Sequence, residues 1–397
     1  MTRWAVLALV TLAYAGSALS ALAVAPLAPF LLEALHLSRA QVGLLLPALY
    51  LGGVLMSLPA GWLTDRLGVR LTLALGQALT GAMVALASLT SSLPLLLACL
   101  VGGGFGFSVG NPATGRAVIE WFPPRERGVA MGIKQTGLTL GGIGAALALP
   151  PLALALGWRD ALALAGAFSL VSALVVASAY RTPPGGGGVP PAAWPRLAEV
   201  GGFLRRPGVL MLFGCGLALS MAQSSLLAYL VLYAKESFAI SAVAAGQLLA
   251  LAQVGGTASR LAWGVVSDRF FGGRRRPGVV VTALLGAAAY VAFALGPPLS
   301  GPLIAVLVLV AGAGAFGWVG LYFALVAEIG GARHAGLLTG VAVAFAWSGV
   351  LAGPPLYGLA LEATGSYAAP WLGLAAIAVL VAVALARLQP LVQRGAT

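Results

Sequence analysis

Charge is what this sequence has least of. Only 8% of its 397 residues are Asp, Glu, Lys or Arg, and only 10 are acidic. A soluble domain carries roughly 25% charged residues, because its surface must be solvated. So few charges could not cover a globular surface of this size. The outer surface must therefore face lipid, where an ionised group is costly. Histidine is scarcer still: there are two, both near helix ends. No nucleophile–base set and no metal-ligand spacing can be assembled, so neither an enzyme nor a bound metal or cofactor is expected. The two cysteines, Cys99 and Cys215, lie inside apolar stretches and give no disulfide framework. The net charge of +12 raises nucleic acid as a partner. The arginines, however, are spread singly between apolar segments, the pattern of charge that sets membrane topology. No nucleic-acid partner is expected.

What the chain does have is apolar length. Hydrophobic residues make up 60%, with 55 Gly and 24 Pro, both tolerated in membrane helices. A span needs about 20 mostly apolar residues. Twelve candidates run roughly 4–32, 40–60, 71–90, 94–117, 128–150, 161–180, 208–233, 241–266, 278–297, 301–327, 335–358 and 367–388. Arg3 and the small residues of SALSALAVA could suggest a signal peptide, but the apolar run continues to Leu32 and reads as a retained first helix. Residues 181–207 are rich in Pro and Gly and carry Arg181, Arg196, Arg205 and Arg206. This linker separates an N-terminal six-helix domain, 1–180, from a C-terminal one, 208–397. With the N-terminus inside, only Arg39, Arg159 and Lys235 lie outward, while Arg116, Lys134 and Arg260 fall within helices. The other sixteen of the 22 Lys and Arg lie inward, which puts both termini and the linker in the cytoplasm.

The halves repeat. GWLTDRLGVR (61–70) follows the second span and GVVSDRFFGGR (264–274) the eighth, so Gly61, Asp65 and Arg66 match Gly264, Asp268 and Arg269. EWFPPRERGVAMG (120–132) follows the fourth span and EIGGARHAGLLTG (328–340) the tenth. There Glu120, Arg125, Gly128 and Gly132 match Glu328, Arg333, Gly336 and Gly340. The corresponding places imply two domains of common design.

With these residues on the page, the chain resembles the major facilitator superfamily. Gly61, Asp65, Arg66, Gly68 and Arg70 match its signature between helices 2 and 3, while Val69 replaces one basic position. The resemblance implies an all-α membrane protein of twelve transmembrane helices in two pseudo-symmetric six-helix domains. It also implies that helices 1, 4, 7 and 10 line a central cavity, and that helices 5 and 8, and 2 and 11, meet across the domain interface. The halves would rock about a central site, with the Asp65 and Asp268 loops latching the cytoplasmic side. Gly61 would let helices approach, Asp65 would accept bonds at a helix N-terminus, and Arg66 and Arg70 would bond carbonyls or Glu120. Gly68, Gly264, Arg269 and Glu328 complete the expected gate. Two departures count against drug efflux: Cys99 stands near the place of a helix-4 Arg, and Gly142 where a helix-5 Pro is usual.

The charges within helices are the sharpest functional signal. Lys134 lies roughly 10 Å deeper than Arg127, and Arg260 roughly 12 Å deeper than Asp268. Lys134 shares a stripe with Gly137, Gly141 and Gly144, and Arg260 one with Gln253, Thr257 and Gly264. No Asp or Glu lies at that depth. Cations without a protein acid call for a diffusible anion. Two alternatives stay open: Arg116 can pair with Glu120 at i,i+4, and Lys134 can snorkel to the interface. Arg260, in SRLAWGVVSDR, resembles the helix-8 Arg of the monocarboxylate and oxalate/formate carriers. Gly256 stands where the monocarboxylate carriers have an Asp, and no helix-11 Lys is present. Tyr14, Asn111, Gln223, Tyr229 and Tyr322 complete the candidate cavity; Glu33, His36 and Glu236 are expected at solvated outward ends. The expectation is a monomeric inner-membrane carrier of a small, monocarboxylate-like organic anion. A co-transported proton would ride on the substrate or on a peripheral group such as Glu328. The alternatives are efflux of an amphipathic drug, and a transporter-like sensor without net transport.

Overall fold

The computed structural model describes residues 2–183, 202, 205, 207–296 and 301–387, with the side chains of 57, 58, 207 and 331–337 outside the description. Most of the expected linker, and Arg333 and Gly336 of the second repeat, therefore lie outside the described residues. Among those described, the regular structure is helical throughout, with no strand. This follows from the solvent: in lipid every backbone N–H and C=O must be satisfied within the segment. Among the described residues, eleven helical segments are long and apolar enough to cross a membrane. The eighth expected span is the helix Ala242–Phe270. Gln247, Gln253, Thr257, Ser259, Arg260 and Ser267 dilute its hydropathy.

Several spans are broken where the sequence removes a backbone bond. The first is Arg3–Ala21 continued by Val24–Ala34. Pro26 has no N–H for the Leu22 carbonyl, which accepts from Ala25 instead, at 3.4 Å. The fourth is Leu93–Ser108 continued by Gly110–Trp121. That break lies one turn before Pro112, which cannot serve the Ser108 carbonyl. The second and third spans form one run, Leu45–Ser88, interrupted at Gly68, whose φ of 74° and ψ of 168° suit glycine alone. The fifth and sixth are Arg127–Leu156 and Trp158–Ala179. In the second half the seventh is Pro207–Ser237, the ninth Arg275–Leu295 and the twelfth Ala368–Arg387; the tenth and eleventh lie within Gly301–Thr364.

The chain divides into two compact units, residues 1–192 with 234–250, and residues 193–233 with 251–397. The end of the seventh helix and the start of the eighth thus group with the first unit. Within it Lys235 pairs with Glu33 at 2.5 Å and Arg39 with Glu236 at 3.1 Å, so Glu33 and Glu236 are not simply solvated.

In the first unit the fifth span packs on the first through its glycine stripe. A Cβ at Gly137 would collide with the Thr11 carbonyl, and one at Gly141 with the Ala15 carbonyl. The two helices approach closely because those side chains are missing. In the second unit the eighth and tenth spans touch in the same way, Gly255 against Leu309 and Gly312 against Ala252.

Candidate functional site

Lys134 is the only charged residue among those described that is fully buried, at 4% exposure. It does not snorkel. Its Nζ donates to the Asn111 side-chain oxygen and, at 3.4 Å, to the Asn111 backbone carbonyl. It also lies 5.7 Å from the centre of the Tyr14 ring, a favourable placement for a cation.

Three local features build this cluster. The break before Pro112 puts Asn111 in the first turn of Gly110–Trp121, where it is exposed. Gly110 allows the Tyr14 ring to lie against its backbone, since a Cβ there would sit 3.0 Å from two ring carbons. Gly137, one turn beyond Lys134, leaves room for Tyr14 on the other side, where a Cβ would lie 3.2 Å from the Tyr14 Cβ. Tyr14 also stacks on Phe107, with ring centres 6.3 Å apart. Three expected residues, Tyr14, Asn111 and Lys134, thus meet, each from a different span.

Arg116 does not join them. Its Nε donates to Glu120 at 2.7 Å and its Nη1 to Asp65 at 2.5 Å, so two carboxylates meet its charge. The argument that an unpaired cation calls for a substrate anion does not apply to it. Its place is with the signature loop. There Arg70 donates to the Ala177 carbonyl at 2.6 Å, and Arg66 lies 5.1 Å over the Trp62 ring. Glu120 is bonded by Arg116 rather than by Arg66 or Arg70, and Asp65 meets a side chain rather than a helix N-terminus. Gly61 and Gly264 are not close-approach points in this structure, because a Cβ at either would meet nothing within 4 Å.

The second unit builds a matching triad from another direction. Arg275 donates to Asp268 at 2.5 Å and to Glu328 at 3.3 Å. Sequence reasoning passed over Arg275. The available signal was an Arg at the start of the ninth span, seven residues after the signature Asp268.

The remaining candidates of the second unit have separate surroundings. Arg260 is half-buried; its Nε donates to the Phe316 carbonyl at 2.9 Å, and its guanidinium lies 5.9 Å from the Phe316 ring centre. Gly256 explains one departure noted above: a Cβ there would come 2.6 Å from the Phe316 Cβ, so an Asp would displace that residue. Tyr322 is fully buried and donates to the Leu212 carbonyl at 3.2 Å, a tie between the tenth and seventh spans. Tyr229 is buried against Tyr357, with ring centres 4.4 Å apart. The Gln223 side-chain oxygen is buried without a hydrogen-bond partner. No group of His, Cys, Asp and Glu that could hold a metal ion occurs among the described residues.

Spanning helices, a repeated charged loop and a buried intramembrane cation together describe a polytopic membrane protein. Residues 10–354 match the family model of the Major Facilitator Superfamily, and the chain belongs to that family of transporters. It is 29% identical over 93% of its length to an uncharacterized MFS-type transporter of Mycobacterium tuberculosis (strain CDC 1551 / Oshkosh), covering 81% of that protein. It is 33% identical over 46% of its length to a galacturonate transporter of Dickeya chrysanthemi, covering 52% of that protein. To the membrane sensor protein UhpC of Salmonella typhimurium it is 25% identical over 63% of its length, covering 61% of that protein. Among solved structures, a bacterial homolog to the human lysosomal transporter Spinster superposes with a TM-score of 0.78 at 21% identity, covering 97% of this chain and 95% of that one.

Proposed function

We propose that this chain is a secondary transporter of small organic anions of the monocarboxylate kind. It works as a monomer in the inner (plasma) membrane, with both termini cytoplasmic, and exposes its site first to one side and then to the other. The observation that carries this reading is Lys134, an ammonium 4% exposed inside a spanning helix and held by neutral oxygens. A buried charge is costly unless paired. A carboxylate is the partner that returns most of that cost. Arg260 supplies a second cation at membrane depth, with a planar fork suited to carboxylate. The likeness to a galacturonate transporter supports the same substrate class. Any coupled proton rides on the substrate or on a peripheral group such as Glu328.

The test is uptake of radiolabelled D-galacturonate into proteoliposomes by the wild type and by Lys134→Ala. Saturable accumulation that the substitution reduces at least about tenfold is the expected result. Uptake untouched by Lys134→Ala would remove the anion site. A second reading has one observation in its favour, the likeness to a membrane sensor protein: saturable binding with no accumulation would favour it.

A further inference from the structure

Lys134 is covered, and Asn111 covers it. The ammonium is buried, whereas Asn111 is exposed. Both Asn111 oxygens face the ammonium: the side-chain oxygen, and the backbone oxygen at 3.4 Å. The backbone oxygen is fixed by the helix, but the side-chain oxygen turns away by rotation about χ1. An anion approaching Lys134 from the exposed side meets the carboxamide first.

We propose that Asn111 is an internal stand-in for the substrate, its carboxamide oxygen occupying the position that the transported anion's carboxylate takes, so that binding exchanges one for the other. This rests on the reading of Lys134 as an anion site. The physical case is a difference of strengths. With the carboxamide turned away, the buried ammonium would keep only the 3.4 Å contact to the backbone oxygen, so the empty carrier needs a place-holder. A neutral amide is a suitable one because it can be displaced. A charge-assisted bond to a carboxylate is roughly twice as strong as one to a neutral oxygen, so an anion wins the exchange. A neutral sugar offers a hydroxyl in place of an amide and gains nothing, so the same residue discriminates against uncharged analogues. Aspartate at this position would never leave.

The experiment uses purified full-length wild type, Asn111→Asp, Asn111→Ala, Lys134→Met and the double variant Asn111→Asp/Lys134→Met. Each is measured for thermal unfolding without ligand and for equilibrium binding of radiolabelled D-galacturonate. Asn111→Asp should unfold at a higher temperature than the wild type. The same change in the Lys134→Met background should lower the unfolding temperature, because the new carboxylate has lost its partner. Galacturonate affinity should fall at least about tenfold in Asn111→Asp, about 1.4 kcal/mol. Asn111→Ala should unfold at a lower temperature yet bind more tightly, by up to about tenfold. Wild-type affinity in Asn111→Asp overturns the stand-in and leaves the anion site intact. An effect of Asn111→Asp on unfolding that is the same with and without Lys134 also overturns it. Failure of the wild type to bind D-galacturonate overturns the anion reading, and the stand-in with it.

Discussion

Replacing Arg116 with methionine separates a gate residue from a binding residue. The guanidinium lies between Glu120 at 2.7 Å and Asp65 at 2.5 Å. Side-chain exposure is 13% for Arg116, 6% for Glu120 and 32% for Asp65. Removing the cation therefore strands one nearly buried carboxylate and one that water still reaches. Losing one partner of a buried pair costs about 3–5 kcal/mol. The Asp65 pair, a third exposed, adds at most about 1 kcal/mol. A loss of about 4 kcal/mol is large against the 5–15 kcal/mol that holds a typical domain together. Arg116→Met should accordingly unfold at a much lower denaturant concentration in detergent. Arg116→Met/Glu120→Gln should recover most of the loss, since the amide needs no counter-charge. The deciding assay is galacturonate binding by the recovered double variant. Near wild-type affinity together with slowed transport is the signature of a gate. A stable double variant that no longer binds the anion would return Arg116 to the substrate site and refute the reasoning from its two carboxylates.

Three further outcomes are expected. Gly68→Val forces a branched side chain onto a φ of 74° and should cost about 1–3 kcal/mol in a denaturant titration; an unchanged midpoint would show that the second and third spans can join another way. Arg260→Ala should lower galacturonate affinity at least about tenfold and Arg260→Lys less, because the ammonium keeps the charge without the fork; equal affinity in wild type and Arg260→Ala would remove Arg260 from the site. Single cysteines at Gly186 and Arg394, added to a cysteine-free background, should react with an impermeant maleimide only in inside-out vesicles, and labelling of either in right-side-out vesicles would reverse the topology.

The sequence is most readable where the bilayer does the selecting. Long apolar runs and a backbone that must satisfy itself leave helices as the outcome, so the approximate places of the spans are legible in the chain while their limits are not: the second and third spans run together through 45–88, and the tenth and eleventh through 301–364. Glycine was readable in part. The stripe at Gly137 and Gly141 marks a packing face by spacing, but spacing does not say that the face meets the first span beside Tyr14. Gly61 looks the same in the sequence, yet a Cβ added there would meet nothing within 4 Å. Pairing over long separations was unreadable. Glu120 is one turn from Arg116 and could be seen as its partner, whereas Asp65 is 51 residues away and is brought in by the packing of the second span against the fourth. In the sequence Asn111 is one polar residue in a candidate cavity helix; its bond to Lys134 depends on the break before Pro112, whose consequence is tertiary.

The two charge triads show what the internal repeat constrains. In each unit one arginine lies between the signature aspartate and the glutamate that follows the fourth or tenth span. The aspartates and glutamates align in sequence, but the arginines do not. Arg116 comes from the fourth span, four residues before Glu120, and the position four before Glu328 is Ala324. Arg275 comes instead from the start of the ninth span. A cation between two fixed carboxylates can be delivered by any helix that passes near them, so the charge pattern is kept while its donor changes. Aligning the halves residue by residue therefore finds the acids and misses the bases. The spacing of Arg116 from Glu120 likewise shows only one of its two acidic partners. With Arg116 held by two acids, the first unit retains Lys134 as its buried cation among neutral oxygens, and the proposed anion site rests on that contrast.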